Sequence, residues 1–169
     1  MARRIVSVVS ITPSGFGDGA NLTDQQYPWI IQGGSSTQYV KLWEISINGQ
    51  ATSGSVTPMI LSRDSVVAAS AGSNISGFTD AAQDPATAAL AAPTLTGDAF
   101  TTKPQRSSTL HLLNCSLNAF GGVFFWRANR WEECQLVLGT GTTNGEISLS
   151  CFTGGSPGAI GTHMIYEAQ

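Results

Sequence analysis

Charge is what this sequence has least of. Only 11% of its 169 residues are Asp, Glu, Lys or Arg, against about 25% in an ordinary soluble domain. A freely diffusing monomer relies on charge for solubility. A subunit that hides much of its surface against neighbours does not, so the composition fits either such a subunit or a surface of Ser, Thr, Gly and Asn that is polar without charge. The eight basic residues are spread along the chain as Arg3, Arg4, Lys41, Arg63, Lys103, Arg106, Arg127 and Arg130. Neutralising phosphates takes clustered Lys and Arg. This scatter and the net charge of −3 argue against direct nucleic-acid binding.

Other scarcities narrow the field further. The three cysteines, Cys115, Cys134 and Cys151, have no C-x-x-C spacing, which speaks against a zinc site. Each falls on the apolar face of an expected strand, where a free thiol packs as a small hydrophobe. No apolar run approaches the ~20 residues of a membrane-spanning helix, so no membrane span is expected. The opening Met1-Ala2-Arg3-Arg4 has the charge of a secretion signal. The stretch after it is interrupted by Ser7 and Ser10 and stopped by Pro13, too short and polar for a signal core.

What is abundant is alternation. Trp43, Ile45 and Ile47 alternate with Glu44, Ser46 and Asn48; Ile147, Leu149 and Cys151 alternate with Glu146, Ser148 and Ser150; Cys134, Leu136 and Leu138 share one face. Period two is the mark of a half-buried strand. Val, Ile, Phe, Trp and Thr enrichment adds strands at 5–11, 28–32, 56–61, 110–117, 123–127 and 162–167. Val123 to Trp126 is apolar on both faces, as in a strand between two layers, and Trp43 and Trp126 read as core. Asn48-Gly49 and Asn144-Gly145 suit tight hairpins. Gly121-Gly122, Gly139-Thr140-Gly141 and residues 154–158 mark further loops. Short strands at close intervals predict an all-β chain: one domain over 1–169, an antiparallel β-sandwich or jelly roll.

The middle departs from this pattern. Residues 72–108 are rich in Ala, Thr, Ser, Gly and Pro. A short helix is expected near 85–92, capped by Asp84, opened by Pro85 and stopped by Pro93. So long a loop in a compact domain is usually functional. It reads as an arm ordered by a neighbouring subunit or as a crossover lying over its own sandwich.

Chemistry-bearing motifs fail on inspection. Gly154-Gly155-Ser156-Pro157-Gly158 matches the G-x-S-x-G of serine hydrolases, but the residue after that serine must donate its N–H to the oxyanion hole and Pro157 has none. Gly15-x-Gly17-x-Gly19 lacks the trailing Gly-Lys-Ser/Thr of a phosphate loop. The glycosylation patterns at Asn21, Asn74 and Asn114 carry no weight in a chain expected to lack a secretion signal. Glu132, Glu133 and Glu146 could be imagined as an acid–base pair, yet Glu133 and Glu146 fall on expected solvent-facing positions. His111 is expected on the face of Leu113 and Cys115, and no residue is identifiable as the orienting partner that a catalytic His111 or His163 needs. The chain therefore reads as non-enzymatic, with no catalytic, cofactor-binding or metal-binding residues. Candidate interface anchors remain. Tyr27, Trp29, Tyr39, Trp43, Trp126, Trp131 and Tyr166 are residue types that anchor protein contacts or sugars. Trp131, Trp29 and Tyr27 are the strongest of them, and His163 with Glu167 is the natural pair for a pH-sensitive contact.

A wider pattern spans about 60 residues. It runs Leu110-x-Leu112-Leu113-Asn114, Asn118-x-Phe120-Gly121-Gly122, Trp126, Gly145-Glu146-Ile147-Ser148-Leu149-Ser150, Phe152-Thr153-Gly154-Gly155-x-Pro157-Gly158 and His163-x-Ile165-Tyr166-Glu167. It resembles the small virion proteins of tailed phages, in particular capsid decoration or cement proteins. The resemblance implies a β-sandwich that forms a homotrimer, sits on the capsid surface and clamps the major capsid protein or other virion subunits. A self-assembling coat, a head-fibre or tail subunit, and a carbohydrate-binding adhesin module are the competing readings.

Overall fold

Eleven strands make up the described structure, a computed structural model that covers residues 4–11, 29–32, 39–66, 79–82, 95–97, 104–129, 135–138, 145–151 and 160–168. They are β1 (Arg4–Ile11), β2 (Trp29–Gln32), β3 (Tyr39–Gln50), β4 (Val56–Val66), β5 (Thr79–Ala82), β6 (Leu95–Gly97), β7 (Gln105–Asn118), β8 (Phe120–Arg127), β9 (Gln135–Leu138), β10 (Ile147–Cys151) and β11 (Ile160–Ala168). All nine expected strands are present.

The strands form two sheets, paired antiparallel throughout. The first runs β5-β1-β11-β3-β8, with β9 also on β3; the second runs β6-β2-β10-β4-β7. Alternation turns one face of each sheet inward. Val40, Leu42, Ile45, Ile47, Ile160, Met164 and Tyr166 from the first sheet share one core with Ile31, Met59, Leu61, Cys115, Leu117, Ile147, Leu149 and Cys151 from the second. Burying an aliphatic or aromatic side chain of this size stabilises by roughly 1.5–3 kcal/mol, so this all-β sandwich rests on one continuous hydrophobic core.

Several sequence expectations change in three dimensions. Asn48-Gly49 is not a hairpin turn, because β3 continues through it. Packing is what asks for glycine there: a Cβ on Gly49 would stand 2.3 Å from the carbonyl oxygen of Ala119. Gly121-Gly122 lies inside β8 rather than in a loop. Two steps along β3, from Asn48 to Gln50, are matched there by three steps along β8, from Val123 to Phe120. Gly121 takes the φ of +73° that such a bulge asks of glycine. Trp43 leaves the core. Ile165 pairs with Glu44 and Tyr166 with Leu42, so Trp43 is an extra residue that reverses the facing of β3. Tyr166, an expected contact anchor, is instead buried in the core.

The segment 72–108 contributes β5, which pairs with β1, and β6, which pairs with β2. Its last residues already belong to β7. The expected helix near 85–92 lies outside the described residues. β1 itself is paired on both sides within its own sheet, by β11 and β5.

Candidate interface

The two sheets end differently on their two sides. Beyond β1 and β2 the chain adds β5 and β6 as further strands; beyond β8 and β7 no described strand follows. Among the described residues, the β7–β8 side is therefore the unpaired flank of the sandwich.

Its apolar surface follows from register. Phe124 and Trp126 stand opposite Ile47 and Ile45, whose side chains point inward, and both pack partly buried against the core. Val123 and Phe125 stand opposite Asn48 and Ser46 and so face outward. Phe120, opposite Gln50, shares that outer face. Exposure reaches 62% at Phe120, 70% at Val123 and 58% at Phe125, and in the other sheet Val56 on β4 and Leu110 on β7 are also exposed. The expectation of a strand sandwiched between two layers is thus corrected. A sequence apolar on both faces arises here from one core-facing row and one outward row. Scattered exposed apolar residues are ordinary, whereas contiguous apolar surface is where contacts tend to form, and here three exposed apolar side chains share the outer face of one strand.

A polar network borders the row on the same outer face. Arg127 lies with Nε 3.9 Å from Oε2 of Glu44, and His163 with Nδ1 3.9 Å from Oε1 of Glu44. Trp43 donates its indole N–H to Glu167 Oε2 at 3.0 Å, and Glu167 is buried. His163 and Glu167 sit four residues apart on β11, so strand rise separates their Cα atoms by about 13 Å. The histidine faces Glu44 from β3, and that residue, unmarked in the sequence as a site, links His163 to Arg127 on the flank. Only the fold could pick it out, because the contact crosses from β11 to β3. Trp29 begins β2. Tyr27 and Trp131 lie outside the described residues, as do Glu133, Cys134 and the 154–158 motif.

A second polar group is buried on the side of β4 and β10 away from the core. Ser62, Asp64, Glu146, Ser148 and Ser150 are fully buried, so Glu146 is not the solvent-facing residue its alternation predicts. Ser148 Oγ donates to Asp64 Oδ1 at 2.7 Å, and Arg106 Nη1 donates to Ser150 Oγ at 3.0 Å and to the Cys151 carbonyl at 3.4 Å. Burial pushes the Asp64 carboxyl up to about 6; hydrogen bonds with Glu146 and Ser148 and the charge of Arg106 oppose this. Hydrogen bonds of Ser148 to Asp64 and of Arg106 to Ser150 lower the cost of burying this group, although Ser62 Oγ and Asp64 Oδ2 have no hydrogen-bond partner among the described residues. The network ties β4, β7 and β10 together.

The remaining titratable candidates fall into place. Cys115 and Cys151 are buried free thiols, and burial raises Cys115 to about 11, which makes it a packing residue rather than a nucleophile. His111 is exposed, with Nε2 3.1 Å from the Ser107 carbonyl. It does not share the inward face of Leu113 and Cys115, because Leu61 pairs with Leu113 and Ser62 with His111, which makes Leu112 an extra residue. No protein-family model matches this sequence, and no characterised protein matches it.

Proposed function

We propose that this chain is a structural virion subunit that works through subunit–subunit contacts, decorating and stabilising a phage capsid. The observation that carries the reading is the unpaired flank. The outer row Phe120, Val123 and Phe125 is exposed on a strand with no described neighbour beyond it, in a chain with only 11% charged residues. Repeating a modest apolar contact by symmetry is how closed assemblies become stable.

Strand order favours a second reading, a coat subunit that builds the shell itself. Without β5, β6 and β9, the sheets are β1-β11-β3-β8 and β2-β10-β4-β7. Strands of consecutive number occupy matching positions in the two sheets, as in the double Greek key of a jelly roll. Viral capsid domains use that architecture, and so do lectins, and a fold by analogy does not assign a function.

Mass in solution, measured by light scattering after gel filtration, separates these readings. A mass that is a small multiple of 17.7 kDa with binding to empty capsids supports decoration. Particles of megadalton size support the coat. A monomer that binds no shell would overturn both.

A further inference from the structure

We propose that β8 is the seam along which two copies of this chain join, edge to edge and antiparallel across a two-fold axis. The inference rests on the reading of the chain as an assembling subunit and names the partner for its unpaired flank.

The edge itself is suited to strand addition. Among the described residues β8 is bonded to β3 alone, whereas the far sides of β1 and β2 carry β5 and β6. Edge strands that stay solitary are blunted by proline, by lysine or by inward-pointing charge. The stretch from Val123 to Trp126 has none of these, and the bulge at Gly121-Gly122 lies before it. An antiparallel edge is also its own complement under a two-fold axis.

Side-chain pattern selects the register. Outer residues must oppose outer residues, so the axis passes beside a single residue rather than between two. Centring on Phe125 would set Arg127 against the copy's Val123, a charge on an apolar side chain. Centring on Val123 would set Arg127 against the copy's Ala119, which is fully buried. Centring on Phe124 sets Val123 against the copy's Phe125, in both directions. It also brings Arg127, 70% exposed, over the copy's Gly121, where nothing lies within 4 Å of a would-be Cβ. The exposed ring of Phe120 is next to that opening, and a guanidinium favours such a ring. The row carries no net charge that would select an acidic or basic partner instead. A second copy therefore satisfies both ends of the strand at once.

The test is a charge-exchange pair. Val123→Lys and Phe125→Glu are made separately, with urea midpoints and circular dichroism to check folding; both sites are largely exposed, so the fold should persist. Sedimentation then gives the smallest species present on dilution for the wild type, for each variant and for their equimolar mixture. We expect a dimer for the wild type. Each variant should dissociate at least tenfold more readily. The mixture should recover the dimer, because the introduced lysine of one chain then faces the introduced glutamate of the other, while the unchanged Phe125 and Val123 meet on the opposite side. Variants that associate like the wild type overturn the seam, and so does a mixture that stays monomeric; a wild type that still assembles in either case leaves the subunit reading intact. A monomeric wild type whose capsid binding is lost in both variants would overturn self-pairing in favour of a strand from another protein.

Discussion

At Asp64 the chain keeps a carboxyl where water does not reach. Its usual pKa of 3.8 rises to about 6, first through burial, and hydrogen bonds with Glu146 and Ser148 and the nearby Arg106 only partly offset this. The sign follows directly. Between pH 3.8 and 6 the folded state holds a proton that the unfolded state has lost, so stability falls as pH rises through that window, by on the order of 2–3 kcal/mol. Asp64→Asn keeps an oxygen to accept from Ser148 and cannot ionise. Urea unfolding from about pH 4 to pH 7 should show a declining stability for the wild type and a flatter one for the variant. An unchanged slope would mean that Asp64 is not the titrating group. Such a role was not legible in the sequence, where Glu146 and its alternating serines look like a solvated face. Alternation reports which residues share a face, not whether that face is wet, and Trp43 shows the same limit: one extra residue in β3 moves it from the core face to the outer face with no local signal.

Among the elements, strands with strong period-two patterns and branched or aromatic side chains were readable, with ends within a few residues of those observed or extended by pairing. β5 and β6 were not. Thr79–Ala82 and Leu95–Gly97 are short and built largely from residues with little strand preference, and they exist as strands because β1 and β2 offer them edges. The glycines of β8 were legible as special but not as strand. Asn118 Oδ1 accepts the N–H of Phe120 at 2.9 Å, closing the turn from β7, and Gly121-Gly122 then form the bulge. The two glycines differ in what they need. Gly121 needs its positive φ and has open space around it; a Cβ on Gly122 would stand 2.3 Å from the carbonyl oxygen of Asn118. Gly121→Ala should cost about 1 kcal/mol through backbone strain, and Gly122→Ala more, about 2–3 kcal/mol, because backbone must shift. Chemical denaturation of the two variants tests the order, and equal costs would argue against the collision at Gly122.

For the whole molecule, the asymmetry of the two flanks is the property that matters. On one side the chain covers its sheets with strands of its own; on the other, among the described residues, the edge strand β8 carries an exposed apolar row. Among the residues whose burial is described, the hydrophobic core draws on β2, β3, β4, β7, β10 and β11, and the Arg106–Ser150 contact lies beyond the segment 79–97. Replacing 79–97 by a short Gly/Ser linker should therefore leave a folded sandwich, since lengthening or shortening a surface connection changes closure entropy only slowly. It would also bare the outer edges of β1 and β2. Exposed edges recruit other strands, so the excised protein should retain a cooperative unfolding transition but associate beyond the wild-type state, with extra species seen by light scattering. Adding Val123→Lys to the excised chain separates the two flanks. If the added association comes from β1 and β2, it persists when β8 is blocked. If it disappears, the growth ran through β8, and β5 and β6 are not the covers that keep assembly to a single side.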